Sequence, residues 1–346
     1  MDYALLRQLV ATPGVSGREE QVRALVSEKL SPLTPNITTD AMGSLIAHIP
    51  GSGPRMALIA HMDEIGFLVS KIDPQGFVRV MPVGGVDARV FGAQKVMVHG
   101  RRDIPGIVGS IPPHLQKKNN GPESKNALPI EESFIDLGLP AEQVQQLVKV
   151  GDPVTFGTIG WENEHAFFAK ALDDRVGLFI MLSAAQQVKK LGCDLFLIAS
   201  TQEEYGLRGA GPAVFSIQAQ IALALEGTVA SDTPGLKLPP NMQPTVQGKG
   251  PEIRISDQRM ISDRQLVDFL IATAEAADIP HQVIVKNTGA TDAAISQTTA
   301  HGVKVCALSV PARYIHSPMS FVRKADVKST IDLVTAVLEN CSKLSL

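Results

Sequence analysis

Apolar residues recur at helical spacing over residues 3–11 and again over 18–30. The TPGVSG between them breaks the pattern, and Ser16 is the expected cap of the second helix. MALIAH (56–61) is a continuous apolar run that predicts a buried strand ending at His61. From about residue 70 to 165 the texture changes. Short valine-rich pieces such as FVRVMPV and QKVMVHG alternate with glycine and proline, as in a small β-barrel or sandwich. Within this stretch, HLQKKNNGPESKNALP (114–129) is polar and predicts a mobile loop.

Beyond residue 165 longer elements return. DRVGLFIMLSAAQQVKK predicts a helix, DLFLIAST and QIALALEG predict buried strands, and ISDRQLVDFLIATAEAADI predicts a helix opened by Ser262 with Asp263 in its first turn. HQVIVKN and VKVCALSV are further strands, and ADVKSTIDLVTAVLENCSKL is a closing helix. Strands alternating with helices predict an α/β fold, a mixed and mostly parallel sheet with helices on both faces. The expected organisation is one α/β domain built from residues 1–70 and 166–346, interrupted by a β-rich insert at 71–165.

Composition narrows the function. The 346 residues suffice for a large core, and 44% hydrophobic with 19% charged residues fits a folded globular chain. A net charge of −3 without a basic block argues against nucleic acid or an anionic membrane as partner. The N-terminus has an early acid and no basic, apolar leader, and no run approaches a membrane span. Cys193, Cys306 and Cys341 are odd in number and far apart, which points to a reducing cytoplasm.

The chemistry lies in six scattered residues: His61, Asp173, Glu203, Glu204, Glu226 and His316. Most follow apolar runs that predict buried strands, where imidazoles and carboxylates are costly unless they bind something. A pair of divalent metal ions is the simplest such partner. In open α/β sheets ligands collect beyond the carboxyl ends of the strands, so the ends of the strands carrying His61, Glu203–Glu204 and Glu226 can converge. The H-x-D spacing puts Asp63 where it can accept the other ring N–H of His61. Asp173-Asp174-Arg175 opens a helix, a place acids also take for purely structural reasons. The adjacent carboxylates of Glu203 and Glu204 repel unless a cation or proton relieves them, and such a pair can supply a ligand and a general base.

VATPGVSGREEQV, AHMDEIGFLV, KALDDRVG, TQEEYGLRGA, ALEGTVASDTPG, TGATDA and RYIHSP together resemble the motif series of the tetrahedral (TET) aminopeptidases and glutamyl aminopeptidase, co-catalytic di-metal exopeptidases. Some members carry an endoglucanase or cellulase label. The resemblance implies a β-rich dimerisation insert, a dodecameric assembly and short peptide substrates. It implies Asp173 as the bridge between two metals, His61 and Glu226 completing one site, and Glu204 and His316 the other. Glu203 becomes the general base, with Asp63 behind His61. Zinc, cobalt or manganese suits such ligands.

The sequence departs from the resemblance at Glu226, where aspartate is usual. That keeps open a di-metal deacylase or a carboxypeptidase-like amidohydrolase, with Asp232 the next candidate ligand should Glu226 not serve. A glycosidase needs two carboxyls free to flank a sugar bond, one of them protonated, and metal-committed acids cannot do this. A non-catalytic assembly protein would more often have lost a ligand, and none is lost.

Overall fold

The structure is a computed structural model that describes residues 1–110 and 127–344. Most of the expected loop at 114–129 therefore lies outside the described residues. The chain opens with helices α1 (Ala4–Ala11) and α2 (Glu20–Leu30) and strands β1 (Ile37–Thr39), β2 (Leu45–Ile49) and β3 (Arg55–His61). A run of short strands follows: β4 (Gly66–Ile72), β5 (Val78–Val83), β6 (Lys95–His99), β7 (Asp103–Val108), β8 (Ile135–Asp136) and, after helix α3 (Ala141–Leu147), β9 (Pro153–Phe156). Then come β10 (Trp161–Glu162), β11 (Ala166–Ala169), α4 (Leu172–Gln187), β12 (Asp194–Ser200), α5 (Ala210–Ile217) and β13 (Ile221–Val229). The chain continues through β14 (Glu252–Ser256), α6 (Arg264–Ala276), β15 (Gln282–Val285), α7 (Asp292–Gln297), β16 (Lys304–Arg313), β17 (Ser320–Arg323) and α8 (Lys324–Asn340).

These elements form a mixed sheet and a closed barrel. The sheet centre is parallel, in the order β12-β3-β13-β16, and antiparallel strands flank it on both sides. Strand β3 shows why the centre reads as an unbroken apolar run. Met56, Leu58 and Ala60 pack on one face with α1, α2, α4 and α8, whereas Ala57 and Ile59 pack on the other with α5 and α7. Both faces are covered, so no alternation survives in the sequence. Helix α4 is apolar all round for the same reason, with Leu178, Ile180, Met181 and Leu182 fully buried.

The barrel closes as β4-β5-β8-β7-β6-β9 and starts at Gly66, ahead of the texture change near residue 70. Its interior is a separate core around Phe67, Phe91 and Phe156. No helix among the described residues is long and apolar enough to cross a membrane.

Two expected caps are corrected. Ser16 does not cap α2; its hydroxyl donates to Asp63 Oδ2 at 2.6 Å, and the residue before the helix is Glu19. Ser262 does not cap α6 either. Its hydroxyl donates to the Arg254 carbonyl, and Asp263 takes the cap, accepting from the Leu266 amide at 2.9 Å. A carboxylate is the stronger acceptor for the amides of a helix start. Replacing Asp263 with Ala should therefore cost about 1 kcal/mol of stability. The expected readout is a lower thermal midpoint with unchanged turnover, and an unmoved midpoint would contradict the cap.

Candidate metal centre

Because β12, β3, β13 and β16 are parallel, their carboxyl ends open on the same side. His61 is the last residue of β3 and pairs with Ser200, the last of β12, so Glu203 and Glu204 leave the sheet beside it. Glu226 lies two residues past the Ile59–Ala224 pair, level with His61 on the neighbouring strand. Contrary to expectation it does not end its strand, for β13 continues to Val229 with Glu226 opposite Ser309. His316 follows the end of β16. Asp173 arrives from the opening of α4, where Asp173 and Asp174 have non-helical backbone angles.

The side chains meet around Asp173. Its Oδ1 lies 3.3 Å from His61 Nε2 and its Oδ2 lies 3.6 Å from His316 Nε2. His61 Nε2 is also 3.8 Å from Glu226 and 3.9 Å from Glu203, and His316 Nε2 is 3.5 Å from Glu204. His61, Asp173 and Glu226 form one group close enough to share a metal ion, and Asp173, Glu204 and His316 form another. The donor set of imidazole nitrogens and carboxylate oxygens suits a zinc-like divalent cation. Asp232, the alternative to Glu226, is turned away and bonded to Arg313 at 2.7 Å.

The imidazoles are aimed from behind. His61 Nδ1 faces Asp63, 3.3 Å from its carboxylate and 3.1 Å from its backbone carbonyl, so Nε2 points at Asp173. His316 Nδ1 faces the Gly85 carbonyl at 3.1 Å, a contact supplied by the barrel side of the molecule. A Cβ at Gly85 would stand 3.0 Å from that nitrogen, so a side chain there would have to push the ring back. Gly227 plays a similar part, since a Cβ there would come within 3.3 Å of Asp173 Cα.

Electrostatics divides the acids. Burial disfavours the charged form of Asp173, yet hydrogen bonds from His316 and His61 outweigh it and hold the carboxyl below its usual range. The same contacts lift the imidazoles against the cost of burial, His61 well above its normal value and His316 to about 9. Burial raises Glu203 and Glu226 well above the carboxylate range, with help from neighbouring acids, and pushes Glu204 up to about 7.

Several neighbours carried no role in the sequence reading. Asp174 accepts the amides of His61 and Gly177, tying β3 to the start of α4. Asp292, from the TGATDA segment, is buried, accepts from the Ser200 hydroxyl and is pushed up to about 6, chiefly by burial. Arg254 is also buried. It donates to Glu252, Thr228 and Ser309 and braces β13 against β14 and β16 beside Glu226. The acids stood in motifs already noticed; Gly85 and Arg254 had no local signal. Asp173, Glu203, Glu204, Glu226 and His316 all line a cavity of about 800 Å3, large enough for a short peptide end.

An open sheet that gathers acids and imidazoles beyond its parallel strands, with a barrel spliced in after the first histidine, defines a metallohydrolase scaffold. The chain belongs to the M42 glutamyl aminopeptidase family, whose model matches residues 43–333. It is 34% identical to a lysyl aminopeptidase of Pyrococcus furiosus over 98% of this chain and 97% of the relative. Among solved structures, the aminopeptidase APDkam598 of Desulfurococcus kamchatkensis superposes with a TM-score of 0.91 at 34% identity, covering 97% of this chain and 94% of that one. A Pyrococcus horikoshii TET1 peptidase, described as able to assemble into a tetrahedron or a large octahedral shell, gives 0.86 at 29% identity, covering 96% and 98%. The chain is thus an aminopeptidase, a peptide hydrolase of a metal-dependent family.

Metal ligands must be deprotonated, and His316, lifted to about 9, and Glu204, pushed up to about 7, still hold protons at neutral pH, His316 nearly fully and Glu204 in part. Metal uptake at pH 7 is therefore expected to release protons. Affinity should climb as pH rises through the values of Glu204, about 7, and His316, about 9. Calorimetry in buffers of different ionisation enthalpy tests this, and a heat independent of buffer would contradict the protonated cluster.

Proposed function

We propose that His61, Asp173 and Glu226 hold one divalent ion, that Asp173, Glu204 and His316 hold a second, and that Glu203 is the general base in removing N-terminal residues from short peptides. The observation that carries this reading is the division of Asp173, with one oxygen facing His61 and the other His316. A carboxylate so divided suits a bridge between two cations. Zinc is the first choice for this ligand set, with cobalt or manganese compatible. Such ions, when bound, lower the pKa of water and polarise the scissile carbonyl.

The protein's own part falls to Glu203. It belongs to neither ligand group, yet it lines the cavity and its Oε2 is 3.9 Å from His61 Nε2. Burial gives its carboxyl a raised proton affinity, so it can take a proton from the attacking water and return it to the leaving amine. Asp63 serves through His61, fixing the ring so that Nε2 stays free to bind.

We read residues 71–165 as an oligomerisation insert between catalytic segments 1–70 and 166–346. The support is apolar exposure on the barrel side: Met81, Ile107 and Val150 are each at least half exposed. The described assembly of the TET1 relative favours a large homo-oligomer, for which a dodecamer is the expected form. Few and widely spaced cysteines favour the cytoplasm.

Glu203→Gln should lower turnover by about 10²–10⁴-fold with metal content unchanged, because general-base catalysis is worth that much. In the same assays Asp173→Asn should lose at least one metal by elemental analysis. Near-parental turnover in Glu203→Gln, or two metals per chain in Asp173→Asn, would sink the assignment. Light scattering at micromolar concentration should report an assembly larger than a dimer; a strict monomer would refute the insert's role.

A further inference from the structure

We infer that Glu19 is a positioning residue for the loop that carries Glu203 and Glu204. It holds the first of three successive backbone amides while Asp63 holds the next two.

The geometry is a relay of N–H groups onto buried acids. The Gln202 amide donates to Glu19 Oε1 at 3.1 Å, the Glu203 amide to Asp63 Oδ1 at 3.0 Å and the Glu204 amide to Asp63 Oδ2 at 3.1 Å. Both acids are buried, Glu19 at 3% exposure and Asp63 at 0%. The carbonyl side of the loop is tied as well: Thr201, Gln202 and Glu203 accept from the amides of Gly209, Arg208 and Leu207. The backbone is thus clamped on both edges, and the side chains of Glu203 and Glu204 are left facing the cavity.

Three observations separate Glu19 from an ordinary helix-start acid. It occupies the residue before α2, yet its side chain makes no capping bond to that helix. Its carboxylate accepts instead from the Gly17 amide at 2.7 Å and from Gln202, far away in sequence. Gln202 has φ +54°, a left-handed conformation that a non-glycine residue keeps where its surroundings over-determine it. Freeing that amide loosens the turn one residue before the base. Displacements of about 1 Å at reacting groups can cost about 10²-fold in rate, so a partial loosening is expected to register in kcat.

The inference rests on Glu203 as the base, so Glu203→Gln is measured in parallel on the metal-loaded full-length enzyme with aminoacyl chromogenic substrates. Glu19→Ala should lower kcat about tenfold or more, with KM and metal content within about twofold of the parent. Glu19→Gln keeps an acceptor oxygen at the same reach and should stay within about threefold of the parent. Parental kcat in folded Glu19→Ala, even with a lowered thermal midpoint, would reduce Glu19 to a structural acid and overturn the inference. Equal loss in Gln and Ala would overturn it too. If the alanine variant does not fold, Glu19→Asp replaces it: the shortened side chain should lose turnover where Gln does not, and equal kcat in the two rejects positioning. Parental turnover in Glu203→Gln would remove the base itself and this inference with it; loss there beside an unaffected Glu19→Ala removes the inference alone.

Discussion

A crowd of carboxylates buried at one end of a parallel sheet is the constraint from which the rest of this structure follows. Each acid taken out of water is costly unless something replaces its hydration. The fold answers some of them with donors. Asp63 receives two amides and the Ser16 hydroxyl, Asp174 receives two amides, and Asp173 faces two imidazoles. The others receive too little. Burial raises the carboxyls of Glu203, Glu204 and Glu226 above their usual range, and each lines the cavity. Asp63 and Asp174 spend their donors on the frame, whereas Asp173, Glu203, Glu204 and Glu226 line the cavity.

Much of the centre is legible in the sequence because strand ends are legible. MALIAH, DLFLIAST and VKVCALSV are apolar runs covered on both faces, and the polar residues after them fall on one side once the strands are parallel. What local pattern cannot show is contact across the fold. Nothing in VGGVDA announces that the Gly85 carbonyl will meet His316, and nothing in EIRIS announces that Arg254 will brace three strands. The hydroxyl caps fail for a related reason. Ser16 lies three residues ahead of Glu19, the residue before α2, and Ser262 one residue ahead of the true cap; tertiary acceptors claim the protons of both, and the adjacent Asp263 takes the second cap. The short antiparallel strands at the sheet edge, such as Trp161–Glu162, are too brief to leave a pattern.

The barrel is more than an appendage to this centre. Gly84 has a left-handed φ of +81°, and a Cβ there would collide with Ile65 and approach Glu204. Gly85 then turns its carbonyl to His316 Nδ1. Two consecutive glycines let the loop after a barrel strand press against the centre, and the Gly85 carbonyl holds the ring of a half-buried histidine. The barrel is thus tied to the centre through the hydrogen bond between the Gly85 carbonyl and the His316 ring.

Glu226 shows how rigid the frame is. Its backbone lies within β13 and is paired to β16 on both sides, from Ile221 through Val229. Arg254 bonds the hydroxyls of Ser309, opposite Glu226, and of Thr228, two residues on. A strand so held cannot retreat to make room for a longer side chain. The methylene that distinguishes glutamate from aspartate must then be absorbed inside the centre, where the carboxylate comes within 3.8 Å of His61. Side-chain length at this position is therefore converted directly into where the carboxylate oxygen stands. The neighbouring loops, anchored through Asp63 and Asp174, are equally unable to yield. What remains free to adjust is the Glu226 side chain and the cavity it lines.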